Sequence, residues 1–96
     1  MSSKYQLKFL PTALKEWKKL GSVIQTQFKK KLTERLEDPH VPSARLHGYK
    51  NYYKIKLRTL GYRLVYEVID QELVVIVIGV GKRDKGKVYK LVRDRK

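Results

Sequence analysis

The sequence lacks cysteine, long hydrophobic runs and an obvious targeting segment. Without cysteine, the chain can form neither disulfides nor a cysteine-ligated metal site, which fits a reducing compartment. The longest apolar run, LVVIVIGV at 73–80, is far shorter than the ~20 residues of a membrane-spanning helix. The first residues, MSSKYQLKFLP, lack the apolar core of a signal peptide. We therefore expect a cytoplasmic bacterial protein with no membrane role.

Common catalytic and nucleotide-binding motifs are also missing. The segment GVGKR at 79–83 is too short for a phosphate-binding P-loop, and no Ser or Thr follows its lysine. The two histidines, His40 and His47, do not have metal-ligand spacing. Nothing local supports a Ser–His–Asp arrangement or a pair of catalytic carboxylates. We expect no metal site and no small-molecule cofactor.

Positive charge is what the sequence has in excess. The chain carries 23 Lys and Arg residues against 9 Asp and Glu residues, for a net charge of +14. The distribution is uneven, because residues 39–66 contain no acidic residue. Such a surplus predicts a polyanionic partner, nucleic acid ahead of an anionic membrane or an acidic protein. A length of 96 residues predicts a single domain spanning 1–96.

Two adjacent helices are predicted in the first third of the chain. Pro11 opens the first, where its missing N–H costs nothing, and Gly21 is a good stop. Ser22 followed by Gln25 has the spacing of a capping box for the second helix. Each helix carries one apolar stripe: Ala13, Leu14, Trp17 and Leu20 on the first, and Ile24, Phe28, Leu32 and Leu36 on the second. A connection this short predicts an αα-hairpin.

Four strands complete the prediction. Alternating segments at 5–10, 52–58 and 62–69 read as strands, and the run at 73–80 is apolar on both faces, as in a central strand. The basic tail, 82–96, contains a short amphipathic segment. The resulting order, β-α-α-β-β-β-α, predicts an α+β fold with a small, mostly antiparallel sheet and the N-terminal helical hairpin packed on it.

A cluster of cations on two neighbouring strands is the strongest functional signal. Lys54, Lys56 and Arg58 alternate with apolar residues, so they are expected to share one face of a strand. A two-residue turn would place Arg63 opposite Lys56, although a bulge at Gly61 would change that pairing. Like charges held close together destabilise a fold. Either their long stems cover apolar surface, or the cluster is a preorganised phosphate site.

A second cluster follows the last predicted strand. Lys82 and Arg83 lie at its end, and Tyr89 follows in the tail. A tyrosine ring can stack on an RNA base, and neighbouring cations lower the pKa of a phenol towards the range of a general base. The alternative for Tyr89 is a helix residue packed on the sheet. The tyrosines at 49, 52, 53, 62 and 66 are better explained as residues that pack on the sheet.

Three segments together resemble a known family. The strings ALKEWKKLG at 13–21, YKIKLRTLGYRLVYEV at 53–68, and VGKR with VY at 80–89 closely resemble the RelE toxins of bacterial toxin–antitoxin pairs. The resemblance covers nearly the whole chain with unchanged spacing. It implies a microbial-ribonuclease-like α+β fold and an endoribonuclease that cleaves the mRNA codon in the ribosomal A site without a cofactor. The implied partners are the 70S ribosome with mRNA in its A site and a cognate RelB-like antitoxin.

The resemblance also assigns residues. The family's catalytic positions fall on residues that the charge argument had isolated: Lys54, Lys56, Arg63, Arg83 and Tyr89. Further substrate contacts are expected from Arg45, His47, Arg58 and Lys82. One position departs from the family, because Leu46-His47-Gly48 stands where these toxins carry Leu-Arg-Gly. Either Tyr89 or Lys54 serves as the base in this interpretation.

Two other functions fit the same charge. A ParE-like gyrase inhibitor would share the fold without needing a cleavage site. A non-catalytic RNA-binding protein would also explain the net charge, through counterion release. The set of four cations and Tyr89 favours the ribonuclease over both.

Overall fold

A computed structural model describes residues 4–82, which form two helices packed on a four-stranded sheet. The strands are β1 (Gln6–Phe9), β2 (Tyr52–Leu57), β3 (Tyr62–Ile69) and β4 (Val74–Lys82). The helices are α1 (Pro11–Lys18) and α2 (Ser22–Glu37), and a short 3-10 turn covers Pro42–Ala44. The predicted α+β fold is confirmed. The predicted amphipathic segment of the tail lies outside the described residues.

The sheet has the order β1-β4-β3-β2. The β1–β4 pair is parallel, and the β2–β3 and β3–β4 pairs are antiparallel. The prediction of a mostly antiparallel sheet is therefore confirmed, as is the central position of the apolar strand β4. Within residues 4–82, neither helix combines the length and the apolar character required to cross a bilayer.

The main core lies between the helices and one face of the sheet. It is built from α1 and α2 side chains, among them Ala13, Trp17, Phe28 and Leu32, packed on alternate residues of the strands. Phe28 is fully buried, and its ring lies 6.2 Å from the ring of Trp17. The predicted stripe on α1 is wrong at one position, because Leu14 is 37% exposed. A helix of only eight residues touches the sheet through Ala13 and Trp17, one turn apart, which leaves Leu14 beside the contact.

The predicted capping box of α2 does not form. Gly21 is the N-cap, Ser22 is the first helical residue, and no side chain caps this helix end. The Gln25 amide instead donates a 2.8 Å hydrogen bond to the Trp17 carbonyl at the end of α1. The tight connection makes that carbonyl available, and Gln25 thus links the two helices.

Tyr66 connects three parts of the structure from inside the core. Its hydroxyl accepts a 2.8 Å hydrogen bond from Nη1 of Arg35 on α2 and donates one of 2.8 Å to the Pro39 carbonyl. The same Arg35 nitrogen lies 3.3 Å from the Lys54 carbonyl of β2. Burial raises the pKa of the Tyr66 phenol, against a lowering by Arg35. A neutral hydroxyl therefore holds the end of α2 against the sheet.

Tyr66→Phe is expected to lower the free energy of unfolding by about 1–3 kcal/mol, because it leaves a buried carbonyl without its donor. Urea denaturation of the wild type and the variant measures the difference. Tyr62→Phe, at a half-buried position on the same strand, is the matched control and should change stability less. Equal effects of the two substitutions would contradict the structural role of the Tyr66 hydroxyl.

Candidate functional site

The face of the sheet opposite the helices carries the predicted cation cluster. A second, smaller apolar cluster lies on this face, formed by Leu46, Tyr52, Val65 and Ile78. Alternation along β2 and β3 places Lys54, Lys56 and Arg63 on the same face as Tyr52 and Val65. All three cations are half-buried. Their charged groups therefore stand at the margin of an apolar patch.

The register brings two of these cations directly opposite each other. Lys56 pairs with Arg63, and Lys54 pairs with Val65. The sequence left the hairpin register open, and the structure shows Lys56 opposite Arg63. The connection, residues 58–61, is four residues long, and Gly61 adopts φ +73° while its N–H donates a 2.7 Å hydrogen bond to the Leu57 carbonyl. The pairing considered for a two-residue turn is thus reached through a longer turn.

Arg58 does not share the strand face with the two lysines. β2 ends at Leu57, and Arg58 is an exposed residue of the turn. The prediction that it continues the alternation of Lys54 and Lys56 is wrong, because the four-residue turn begins one residue earlier than expected. Arg58 nevertheless lies near Lys56, since both line one groove.

A bulge in β4 shapes the support beneath the cations. Val65 pairs with Gly79 and Tyr66 pairs with Val77, so Ile78 is an extra residue on β4. Ile78 packs with Val65 on the cation-bearing face, whereas Val77 lies in the helix-side core. A bulge of this kind changes which way side chains point along a strand. Here it returns Val80 to the helix-side core opposite Leu64.

Lys54 lies in the wall of an open cavity of about 700 Å³. Arg45, His47 and Lys50 line the same cavity, which is framed by residues 42–50. Among the described residues, none that lines it is acidic. Two arginine or lysine side chains from the loop and one from β2 thus face a common space, an arrangement suited to a phosphate group. The structure brings together the predicted residues Arg45, His47 and Lys54.

Lys56 lines a different groove, of about 600 Å³, between α2 and the β2–β3 turn. Lys31 and Arg58 contribute two further charges, and Val23, Leu57 and Leu60 supply apolar surface. Lys54 and Lys56 thus share one strand face and line two neighbouring spaces, although they lie only two residues apart on β2. Such residues are separated by roughly 7 Å.

The remaining predicted positions lie at or beyond the end of β4. Lys82 pairs with Tyr62, and Gly81 pairs with Arg63. Because Tyr62 packs against the helix-side core, the register assigns Lys82 to the other face of the sheet from Arg63. Arg83 and Tyr89 lie outside the described residues. Within residues 4–82, no three His, Asp or Glu side chains are grouped so as to hold a metal ion.

Comparison with known proteins identifies the family. Residues 7–86 match the family of the ParE toxin of the type II toxin–antitoxin system parDE. The mRNA interferase toxin RelE of Escherichia coli (strain K12) is 56% identical over 85 residues, which cover 88% of this chain and 90% of the relative. This chain belongs to the RelE toxins of type II toxin–antitoxin systems.

Solved RelE structures have the same fold. A mutant E. coli RelE toxin in the free state superposes with a TM-score of 0.89 at 52% identity, covering 96% of this chain and 97% of that one. RelE in the intact E. coli RelBE toxin–antitoxin complex superposes with a TM-score of 0.81 at 56% identity, covering 84% and 99% of the two chains. The fold implied by the sequence resemblance is therefore confirmed.

Two charged residues that line these spaces in this RelE-family chain are not among the predicted site residues. Lys50 lines the cavity beside Lys54, and Lys31 lines the groove beside Lys56. The acid-free stretch 39–66 already contained Lys50, so the charge distribution was a usable signal for it. Lys31 belongs to the run of lysines at 29–31, which the sequence favours as solvated helix surface over RNA contact, and its place in the groove depends on the packing of α2 beside the β2–β3 turn.

A hydrogen-bonded chain of four side chains lies away from the cation cluster. His40 Nδ1 is 2.8 Å from the Tyr53 hydroxyl, and His40 Nε2 is 2.8 Å from Asp70 Oδ1. The Tyr5 hydroxyl donates a 2.7 Å hydrogen bond to the same carboxylate oxygen. The residues belong to the start of the chain, the α2–β2 loop, β2 and the β3–β4 turn. Their contacts join these segments, and we assign them a structural role.

The hydrogen bonds from His40 and Tyr5 lower the pKa of the Asp70 carboxyl, against a smaller effect of burial. The hydrogen bond to Asp70 raises the pKa of the Tyr5 phenol. A carboxyl whose pKa is lower in the folded protein stabilises the fold above its ordinary pKa, and this contribution is lost as the pH falls through the folded value. Asp70 should therefore matter most near neutral pH.

Asp70→Asn is expected to lower the urea midpoint near neutral pH, and the difference from the wild type should shrink as the pH falls below about 4. Urea titrations from acidic to neutral pH measure this convergence. Glu72→Gln, at an exposed carboxylate of the same turn, is the control and should give no comparable convergence. A difference that stays constant over the whole range would rule out the assigned role.

Proposed function

We propose that this chain is an mRNA interferase that cleaves mRNA in the ribosomal A site and thereby stops translation. The observation that carries the proposal is the placement of Lys54, Lys56 and Arg63 on one sheet face, with Lys56 directly paired with Arg63. The acid-free cavity beside Lys54 adds further cations. A relative at 56% identity is named an mRNA interferase. Together these features support binding and cleavage of an RNA phosphodiester.

The proposed reaction is attack of a ribose 2′-OH on the adjacent phosphorus. The 2′-oxygen forms a bond to phosphorus, the bond from phosphorus to the 5′-oxygen breaks, and a cyclic phosphate and a 5′-OH result. A base must take the proton of the 2′-OH, and a proton must reach the leaving oxygen. The reaction also needs in-line geometry and stabilisation of the charge that develops on the phosphate.

We assign these tasks to the predicted site residues. Arg63 holds the phosphate, because a guanidinium binds phosphate oxygens through two parallel hydrogen bonds. Lys54 and Lys56 stabilise the developing charge. Tyr89 acts as the base, with Lys54 as the alternative base. Arg83 stabilises the leaving oxygen electrostatically, since arginine hardly ever releases a proton.

Substrate contacts around this centre come from both sides of β2. Arg45 and His47 approach the phosphate backbone from the cavity that Lys54 lines. Arg58 does so from the groove beside Lys56, and Lys82 from the end of β4, on the other face of the sheet from Arg63. The proposed site contains no histidine–carboxylate pair to serve as base and acid. An enzyme so equipped depends on the ribosome to hold the mRNA in line.

The proposed inhibitor is a RelB-like antitoxin. A solved relative at 56% identity is the RelE chain of an intact RelBE toxin–antitoxin complex. A net charge of +14 favours a partner segment that is acidic and folds on the basic face of the toxin. The proposed place of action is the bacterial cytoplasm, where ribosomes and mRNA are found.

Primer extension on ribosomes programmed with a defined mRNA tests the proposal. Wild-type protein should cut within the A-site codon, and Lys54→Ala, Arg63→Ala and Arg83→Ala should each slow cutting by on the order of 100-fold or more. Lys15→Ala, at an exposed position on α1 away from the cations, is the control and should cut normally. Far-UV circular dichroism confirms that each variant is folded.

Two results would overturn the proposal. One is the absence of cuts with folded wild-type protein. The other is fast cleavage of naked RNA without ribosomes.

Gyrase inhibition is the second candidate, because the matching family model describes ParE toxins. A DNA supercoiling assay with purified gyrase separates the two. Inhibition that survives Arg63→Ala, in the absence of ribosomal cuts, would favour this second function.

A further inference from the structure

Two tyrosines beside the Lys54 cavity are stacked on each other. The ring centroids of Tyr49 and Tyr52 are 5.1 Å apart, with an angle of 26° between the planes. Their environments differ: Tyr52 is 3% exposed and belongs to the apolar cluster of the cation-bearing face, whereas Tyr49 is half-buried and packs against that cluster. Tyr52 therefore forms the base on which the Tyr49 ring rests.

The loop that carries Tyr49 is fixed at both ends. The Leu46 N–H donates a 2.8 Å hydrogen bond to the Tyr52 carbonyl, and the Asn51 carbonyl accepts one of 2.9 Å from the Val68 N–H. Within this loop, Gly48 and Asn51 have φ of +83° and +64°, and these values turn the chain tightly. The Tyr49 ring is therefore held in place before any ligand arrives.

The Tyr49 side chain lines the same cavity as Arg45, Lys50 and Lys54. The cavity has a volume of about 700 Å³, which lies within the range of ~300–1,000 Å³ for cavities that bind small molecules and cofactors. An aromatic ring beside several cations is the combination that binds single-stranded nucleic acid, because bases stack on the ring while cations hold the backbone. An acidic peptide would use the cations but gain little from the ring.

We propose that Tyr49 is a stacking platform for one unpaired base of the RNA, and that Arg45, Lys50 and Lys54 hold the phosphates beside that base. The proposal rests on the proposed function and adds a subsite to it. From the sequence, Tyr49 was interpreted as a packing residue like its neighbours. The structure assigns that role to Tyr52 and leaves Tyr49 at the wall of the cavity.

Three variants separate stacking from packing. Tyr49→Phe keeps the ring, Tyr49→Leu keeps an apolar cover over Tyr52 without a ring, and Tyr49→Ala removes both. Thermal midpoints of all three report how much the cover contributes to stability. The Leu variant keeps the test valid if the Ala variant does not fold.

Binding is measured without cleavage. Ribosomes are programmed with mRNA in which 2-aminopurine replaces one base at a time in and around the A-site codon. A 2′-O-methyl group blocks the attacking hydroxyl. Stacking on the tyrosine quenches 2-aminopurine at one position with wild type and Tyr49→Phe. With Tyr49→Leu this quenching is lost, and the half-saturating toxin concentration rises about 10- to 100-fold, as expected for the loss of one stacked base.

Each other outcome has a defined meaning. If wild type and Tyr49→Leu bind and quench alike at every probe position while wild type still cuts unmodified mRNA, the stacking platform is wrong and the proposed function stands. If quenching depends on Tyr49 but no cutting occurs, the platform stands and the proposed function fails. If no probe is quenched but a synthetic poly-glutamate peptide binds with a dependence on Tyr49, the cavity serves an acidic protein segment and the platform is wrong.

Discussion

Two cations face each other across neighbouring strands, and the rest of the structure has to accommodate their repulsion. Lys56 and Arg63 are directly paired between β2 and β3. A cross-strand pair changes stability by about 0.2–1 kcal/mol, and like charges act unfavourably. The opposite faces of the same strands bury Ile55 and Leu64. Burial of one such side chain contributes about 1.5–3 kcal/mol, so the helix-side core easily outweighs the repulsion.

Because the core lies on one side, the other face of the sheet is available for chemistry. It is nevertheless not a bare polar surface, since Val65 and Ile78 pack with Tyr52 and Leu46 beneath the cations. Alternation from Val77 directs Ile78 towards this face, and the bulge in β4 then returns Val80 to the helix-side core opposite Leu64. A rigid apolar base restricts the stems of the lysines and Arg63 that flank it. Charges restricted in this way need less rearrangement when a phosphate arrives, which is how preorganised sites stabilise developing charge.

The sequence predicted the element order and the central position of β4, because both depend on local periodicity and short connections. It left the pairing of Lys56 with Arg63 open, because that pairing depends on the geometry of the turn. It failed where tertiary contacts compete with local patterns. Gln25 binds the end of α1 instead of capping α2, and a longer turn removes Arg58 from β2.

The cavity beside Lys54 could not be predicted as a cavity. The charges of Arg45 and Lys50 are visible in the sequence, but their convergence depends on how the loop at 42–50 folds back along β2. Arg45 forms an isolated antiparallel bridge with Tyr53, and this contact places the loop beside the strand. Positive φ angles at Gly48 and Asn51 then turn the loop around the cavity. A glycine allows such a turn, but the sequence does not show that Asn51 adopts it.

Under the proposed function, one set of charges serves both activity and inhibition. Among residues 4–82, those that line the Lys54 cavity and the Lys56 groove include several cations and no Asp or Glu. A polyanion that covers them relieves the repulsion and also blocks the access of RNA. An acidic antitoxin segment would therefore stabilise the toxin by the same contacts that inactivate it. Because the segment binds only the folded toxin, this stabilisation grows with the logarithm of the concentration of the antitoxin. The clustered cations that lower the stability of the isolated toxin are therefore the same cations that let an acidic partner bind well.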